Sequence, residues 1–244
     1  MLVKSQVKYI QSLSQKKSRD EEGVFIAEGP KIINELLSTS NLGLVQLYAT
    51  AQWTGQSPQT QAGTVIEVSE QELERISLLQ TPNQVLGIFR KPVFPKITSY
   101  HSRLTLVLDT IQDPGNLGTI LRCADWFGVQ TVVCSRESAD VFSAKVVQST
   151  MGSITRVQVL YEDLAAFMQQ QSDIPAYAAT LHGTDLYTMQ PVKEGLLLIG
   201  NESKGLRDEL IQLCKNRITI PRIGQAESLN AAVATGIILS HIAR

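Results

Sequence analysis

Three short polar stretches, each rich in glycine and each following an apolar run, hold the side chains best suited to chemistry. After LTLVLDTI (104–111) comes Gln112-Asp113-Pro114-Gly115-Asn116-Leu117-Gly118, and after LLLIG (196–200) comes Asn201-Glu202-Ser203-Lys204-Gly205-Leu206. After RITI (217–220) comes a loop from Pro221 that ends in Ser228, Leu229 and Asn230. In open parallel sheets ligands bind beyond the carboxyl ends of strands, so a site is expected where these loops leave the sheet.

In the first loop Pro114 and Gly115 read as a turn, with Asn116 capping the helix that follows. Arg122 lies nearly two turns further on, between Ile120, Leu121, Cys123 and Ala124. Those neighbours predict a mostly buried helix, where an unpaired guanidinium is costly, so an anion such as an RNA phosphate is the expected partner. In the second loop Gly200 and Gly205 have the spacing of a phosphate-binding loop. That chemistry needs Lys and then Ser or Thr after the second glycine, and Leu206 and Arg207 stand there instead. No G-x-G-x-x-G follows the first strand of this region, which removes a dinucleotide fold. Glu202 taken alone is also explained as an acid favouring a helix N-terminus, and Ser228 taken alone as an N-cap.

The elements that must hold these loops are legible from periodicity. LTLVLDTI, VQTVVCS (129–135), AYAATL (176–181), LLLIG and RITI read as strands, with a helix at about Leu117–Phe127 and a last helix starting near Leu229. The alternation predicts a parallel sheet covered on both faces. The last helix, AAVATGIILSHIA, is apolar almost all round and rich in small residues; burial follows, and close approach by a second helix is an open alternative to ordinary core packing. Earlier in the chain, Val24–Ala27 reads as a strand and Ile32, Ile33, Leu36 and Leu37 recur at helical spacing, with further strands at LVQLYAT (44–50), TVIEVS (64–69) and VLGIF (85–89). This first part is a small α/β domain. RKPVFPKITSYHSR (90–103) reads as connecting chain, so the expected division is a domain over 1–95, a linker over 96–103 and a second domain over 104–244.

Charge separates the two parts. Residues 1–103 carry eleven basic and nine acidic groups, +2, and residues 104–244 eleven and fourteen, −3. Lys4, Lys8, Lys16, Lys17 and Arg19 precede the first acid, Asp20, and Arg75, Arg90, Lys91, Lys96 and Arg103 stand in an acid-free stretch. The first part is therefore the expected RNA gripper, with Lys16, Lys17 and Arg19 as candidate contacts and two solvated basic faces as the open alternative. The three cysteines and three histidines lack the spacing of a metal clip or triad, so no metal is expected. No apolar run reaches the roughly 18 residues of a membrane span, and no signal-like segment opens the chain, so a soluble cytoplasmic protein is expected.

DPGNLGTILRCADWFGV, IGNESKGL and IPRIGQAESLNAAVATGIIL, in this order, resemble the three signature motifs of the SpoU (TrmH-like) RNA 2′-O-ribose methyltransferases of the SPOUT superfamily. With the strands between them they cover essentially all of 104–244. IQSLSQKKSRDEEGVFIAEGPKIINELL and TPNQVLGIFRK are similar, less specifically, to that family's substrate-binding domain, whose fold is ribosomal-protein-like.

The resemblance implies a parallel sheet whose C-terminal segment forms a trefoil knot, one of the rare exceptions to unknotted topology. It implies S-adenosylmethionine as cofactor and a homodimer through the knot region. Asn116, Arg122, Glu202, Ser228 and Asn230 are the implied catalytic residues, and Gly200, Ile220 and Leu229 the implied lining of the cofactor pocket. The expected activity is methylation of a ribose 2′-hydroxyl in structured RNA, ribosomal RNA rather than tRNA, because the N-terminal gripper is similar to that of the ribosomal members. The alternatives are a non-catalytic RNA-binding protein that keeps the fold, and a methyltransferase acting on a base or on protein.

Overall fold

Leu104–Leu108 is a run of five buried residues, and it forms the centre of a six-stranded, wholly parallel sheet. The computed structural model describes residues 2–40, 42–54 and 65–243. In chain order the elements are α1 (Lys4–Ser12), α2 (Lys16–Glu22), β1 (Val24–Glu28), α3 (Pro30–Leu37), β2 (Leu44–Ala49), α4 (Ala51–Thr54), β3 (Val65–Glu67), α5 (Glu70–Ile76) and β4 (Val85–Arg90). There follow β5 (Leu104–Leu108), α6 (Pro114–Trp126), β6 (Thr131–Ser135), α7 (Ala144–Thr150), β7 (Gln158–Glu162), α8 (Leu164–Gln170), β8 (Ala176–Asp185), β9 (Gly195–Ile199), α9 (Asp208–Leu213), β10 (Asn216–Thr219) and α10 (Ala231–Ile242). Thr64, at the head of one expected strand, lies outside the described residues.

Two compact units divide these elements. The first comprises residues 1–93 together with 140–155, and its sheet runs β1-β4-β2-β3, antiparallel except for the β2–β3 pair. Ile10, Leu13, Ile26, Leu73, Ile76, Leu86 and Ile88 form a core between α1, α5 and this sheet. Leu37, expected on the buried stripe of α3, is 36% exposed, because the stripe is already completed by Ile32, Ile33 and Leu36.

The segment 140–155 packs on β1 of this unit through α7. Phe142 lies 5.5 Å from Phe25, ring centre to ring centre, and Asp140 pairs with Arg19. Arg19 is 4% exposed, and its guanidinium also donates to the carbonyls of Leu13 and Ser14, each at 2.7 Å. Its charge is therefore turned inward and paired, with Nε alone left without a hydrogen-bond partner among the described residues, which leaves Lys16 and Lys17 as the exposed members of the expected basic contact.

The second unit comprises 94–139 and 156–244, with strand order β10-β8-β9-β5-β6-β7. Val107, Val133, Leu196 and Leu198 face Leu164, Phe167, Met168 and Leu210 on one side of the sheet, where α8 and α9 lie. Alternation along the strands sends Leu106, Leu108, Val132 and Leu197 to the opposite face, and α10 packs on α6. β8 and β10 pair in two registers: Arg217 lies opposite Ala178, and the next residue, Ile218, opposite Thr184. Residues 179–183 are thus pushed out of the pairing. Gly183 returns the strand so close to β10 that an added Cβ would lie 2.6 Å from the Arg217 carbonyl carbon.

Candidate active site

The chain passes from β5 to β6 on one side of the sheet, while β9 lies on the other, so the loops after β5 and β9 diverge from neighbouring strands. A crevice at that position is where open parallel sheets bind ligands. The loop after β9 lies beside the segment that joins β10 to α10, and both line one cavity of about 1270 Å³. Its walls include Gly200, Glu202, Ile220, Ser228 and Leu229, five of the eight residues implied for catalysis and cofactor binding. Ile199, Ile218 and Ile238 give it an apolar side, and Ala179, Thr180 and Leu181, from the stretch displaced from the β8–β10 pairing, complete it.

Glu202 is carried on a tightly closed loop. Asn201 and Gly205 exchange backbone hydrogen bonds of 3.1 and 2.8 Å, and the Asn201 side-chain oxygen accepts from the amides of Ser203 (2.9 Å) and Lys204 (3.2 Å). Gly205 has φ of +69°, and Gly200 approaches its backbone so closely that any Cβ would collide with it. Both glycines are required by this turn.

A directional chain of side-chain hydrogen bonds joins the three loops. Asn230 caps α10, its Oδ1 accepting from the amides of Ala232 (3.0 Å) and Val233 (3.2 Å). Since that oxygen is committed to backbone donors, its Nδ2 must donate outward, and it does so to Asn116 Oδ1 at 2.9 Å. Asn116 Nδ2 is then left to donate, and it donates to Glu202 Oε1. The backbone amides at the start of α10 therefore fix the orientation of both asparagine amides, and only an acceptor suits position 202.

Two expectations about helix starts are corrected by this geometry. Asp113, not Asn116, is the N-cap of α6, accepting from the Asn116 amide at 2.8 Å, and Pro114 occupies the first turn. Proline is suited to that position because the missing N–H has no helical partner there, which makes the preceding Asp the cap. Asn116 is thereby released for the bond to Glu202. Likewise Asn230, not Ser228, caps α10.

The expectation of a buried Arg122 is also corrected. α6 buries Leu117, Ile120, Leu121 and Ala124, and turns Thr119, Arg122 and Trp126 outward. Arg122 makes no hydrogen bond or ion pair among the described residues and does not line the cavity. Six residues separate it from Asn116, roughly 9 Å along the helix axis. The structure thus brings together Asn116, Glu202 and Asn230 by hydrogen bonds and Gly200, Glu202, Ile220, Ser228 and Leu229 around one cavity, with Arg122 apart on an open face. α10 is less enclosed than expected as well, since Val233 is 51% exposed.

Sequence reasoning passed over Asp109, which is 1% exposed and bonded to Arg207. An acid ending an otherwise apolar strand was the available signal, because a carboxylate at such a place needs partners.

A wholly parallel α/β unit with a cavity beyond its strand ends, lined by the second and third motif loops and tied to the first by hydrogen bonds, is of the class of open parallel-sheet folds that bind small ligands at their strand ends. The chain belongs to the SpoU rRNA Methylase family, whose model matches residues 103–240, and an MRM3-like substrate binding domain model matches residues 4–87. It is 30% identical over 240 residues to the 23S rRNA (guanosine(2553)-2′-O)-methyltransferase RlmP of Bacillus subtilis, covering 97% of this chain and 95% of the relative. Among solved structures, a TrmH-family protein from Porphyromonas gingivalis is 38% identical with a TM-score of 0.83, covering 99% of this chain and 98% of its own. The AdoMet-bound rRNA methyltransferase from Sinorhizobium meliloti is 34% identical with a TM-score of 0.83, covering 99% and 95%.

Proposed function

We propose that this protein is an S-adenosylmethionine-dependent methyltransferase that methylates a ribose 2′-hydroxyl in ribosomal RNA. The observation that carries the reading is the hydrogen-bonded set Glu202–Asn116–Asn230 at the rim of the cavity lined by Gly200, Ile220 and Leu229. Full-length likeness to ribosomal RNA enzymes favours that substrate over tRNA.

The cavity suits the cofactor. The Gly200–Gly205 turn, Pro221 and Leu229 form one wall, and the isoleucines offer an apolar surface for a flat ring. When bound, S-adenosylmethionine supplies an electrophilic methyl group. The chain's own task is to bring the attacking oxygen into line with the methyl carbon, which is chiefly a matter of positioning. Glu202, with Oε1 held by Asn116, and Ser228 are disposed to receive the ribose. A guanidinium offers only donors, in a fork that matches phosphate oxygens, so we assign Arg122 to a phosphate of the RNA rather than to proton abstraction. The hydroxyl proton passes to phosphate or water.

We further propose that the C-terminal segment is threaded as a trefoil knot, that the protein is a homodimer formed through this region, and that it acts in the cytoplasm, where ribosomal RNA is met. The return of the chain from edge strand β10 to pack α10 on α6, the helix that follows central strand β5, supports the threading. The outward apolar residues Val233 and Trp126, 51% and 84% exposed, support the dimer. Lys16 and Lys17 of the first unit are proposed RNA contacts.

The test is tritium transfer from labelled S-adenosylmethionine to RNA from cells lacking the protein, followed by nucleoside mapping. Label in one ribose-methylated nucleotide of ribosomal RNA is expected, and Arg122→Ala removes it while cofactor binding persists. Label on a base, or cofactor binding without transfer to any RNA, overturns the reading.

A further inference from the structure

Asp109 and Thr110, just past the end of β5, line no part of the cavity, yet both are committed to the loop that carries Glu202. Thr110 is β-branched and has φ of +57°, a left-handed conformation that such a residue rarely adopts. The corner is sustained by an N–H bond to Ser135 Oγ (3.0 Å) and by Thr110 Oγ1 donating to Asp109 Oδ1 (3.1 Å). This turn aims the Thr110 carbonyl at Asn201, whose Nδ2 donates to it at 3.0 Å. The Asp109 carboxylate, 1% exposed, accepts from the Arg207 backbone amide through Oδ2 and from Arg207 Nε through Oδ1, each at 2.9 Å. Asn201 and Arg207 bracket the segment that holds Glu202, so two adjacent residues grip both ends of one loop. Strained backbone at such a point is found where the surrounding structure has to impose a geometry.

We propose that the Asp109–Thr110 corner is a positioning device for methyl transfer: by holding Asn201 and Arg207 it sets where Glu202 meets Asn116. Asp109, Thr110 and Arg207 are then positioning residues, acting through Glu202. This rests on the methyltransferase reading of the site.

The test compares wild type with Asp109→Asn and Arg207→Ala. The Arg207 side chain is 44% exposed, so the second variant remains informative if the first fails to fold. In cofactor-free protein, hydrogen exchange of the peptide covering 200–207 is expected to accelerate in both. Single-turnover transfer to ribosomal RNA is expected to fall about a hundredfold, as for a displacement of about 1 Å at a reacting centre. Half-saturating RNA should stay unchanged and cofactor affinity should change far less than the rate. Added ethylguanidinium should restore part of the rate to Arg207→Ala and none to Asp109→Asn. Wild-type exchange and rate in both variants overturn the proposal, as does a rate loss that only follows a lowered melting temperature and resists rescue. If wild type itself transfers no methyl group, the functional reading fails, while the exchange data still judge the grip on the loop.

Discussion

Asn230 donates its side-chain amide to Asn116 at 2.9 Å, across 114 positions of chain, and through Asn116 the start of α10 is joined to Glu202. The link has one polarity, because the Asn230 oxygen is held by two helix amides.

Asn116→Asp tests that polarity. The substituted carboxylate still accepts from Asn230 but cannot donate to Glu202, so two carboxylates face each other and one of them titrates upward. Transfer is expected to drop about a hundredfold at neutral pH, and to recover in part on acidification as one carboxylate takes a proton. A pH–rate profile of the variant beside wild type reads both effects; a neutral-pH rate equal to wild type would show that the link has no part in the reaction.

Asp140→Ala strands the Arg19 guanidinium inside the first unit. Removing one partner of a buried pair costs about 3 kcal/mol or more, so the urea midpoint should fall accordingly. Asp140→Asn, which keeps an acceptor, should lose less. Equal stability of all three proteins would mean that the two carbonyls bonded to Arg19 suffice.

Glu28 is 3% exposed, and burial raises its pKa above the usual carboxylate value, opposed by hydrogen bonds from Ser77 Oγ (2.5 Å) and the Leu78 amide (2.9 Å). The folded protein therefore binds this proton more tightly than the unfolded chain. The stability it contributes is full below the unfolded value and is lost as pH rises through the raised folded value. In Glu28→Gln that component of the pH dependence should vanish. Urea midpoints from acid to neutral pH check the difference between the two proteins, and parallel curves would dismiss it.

Val233→Asp places a charge on the outward face of α10. If two copies meet there, light scattering should find a dimer for wild type and a monomer for the variant, with transfer lost alongside. A variant that remains dimeric moves the contact elsewhere.

Five of the six strands of the second unit were legible as runs bounded by polar loops, and β5, β6 and β9 are buried throughout. Edge strand β7, Gln158–Glu162, was not among the expected strands, since its residues are only half-buried and form no apolar run. The cavity residues were legible through motif resemblance, not through periodicity. What escaped was local competition. Asp113 and Asn116 are both good caps, and the choice between them turned on Pro114. Arg122 was misjudged because its apolar neighbours in sequence lie on other faces of α6; a helix turns about 100° per residue, so adjacency says little about burial. The two registers of β8 against β10 left no composition signal beyond Gly183.

The first unit draws Phe142 and Asp140 from beyond β5 and β6. On the ribosome, where the chain emerges from its amino end, that unit still lacks these two partners when residue 93 appears. Arg19 waits without its carboxylate, and Phe25 without its ring partner, until more than forty further residues have been made, by which time the first two strands of the other sheet are already outside. The two units are therefore committed to maturing in an interleaved order rather than one after the other, and a fragment ending at residue 93 would be a permanent form of that waiting state.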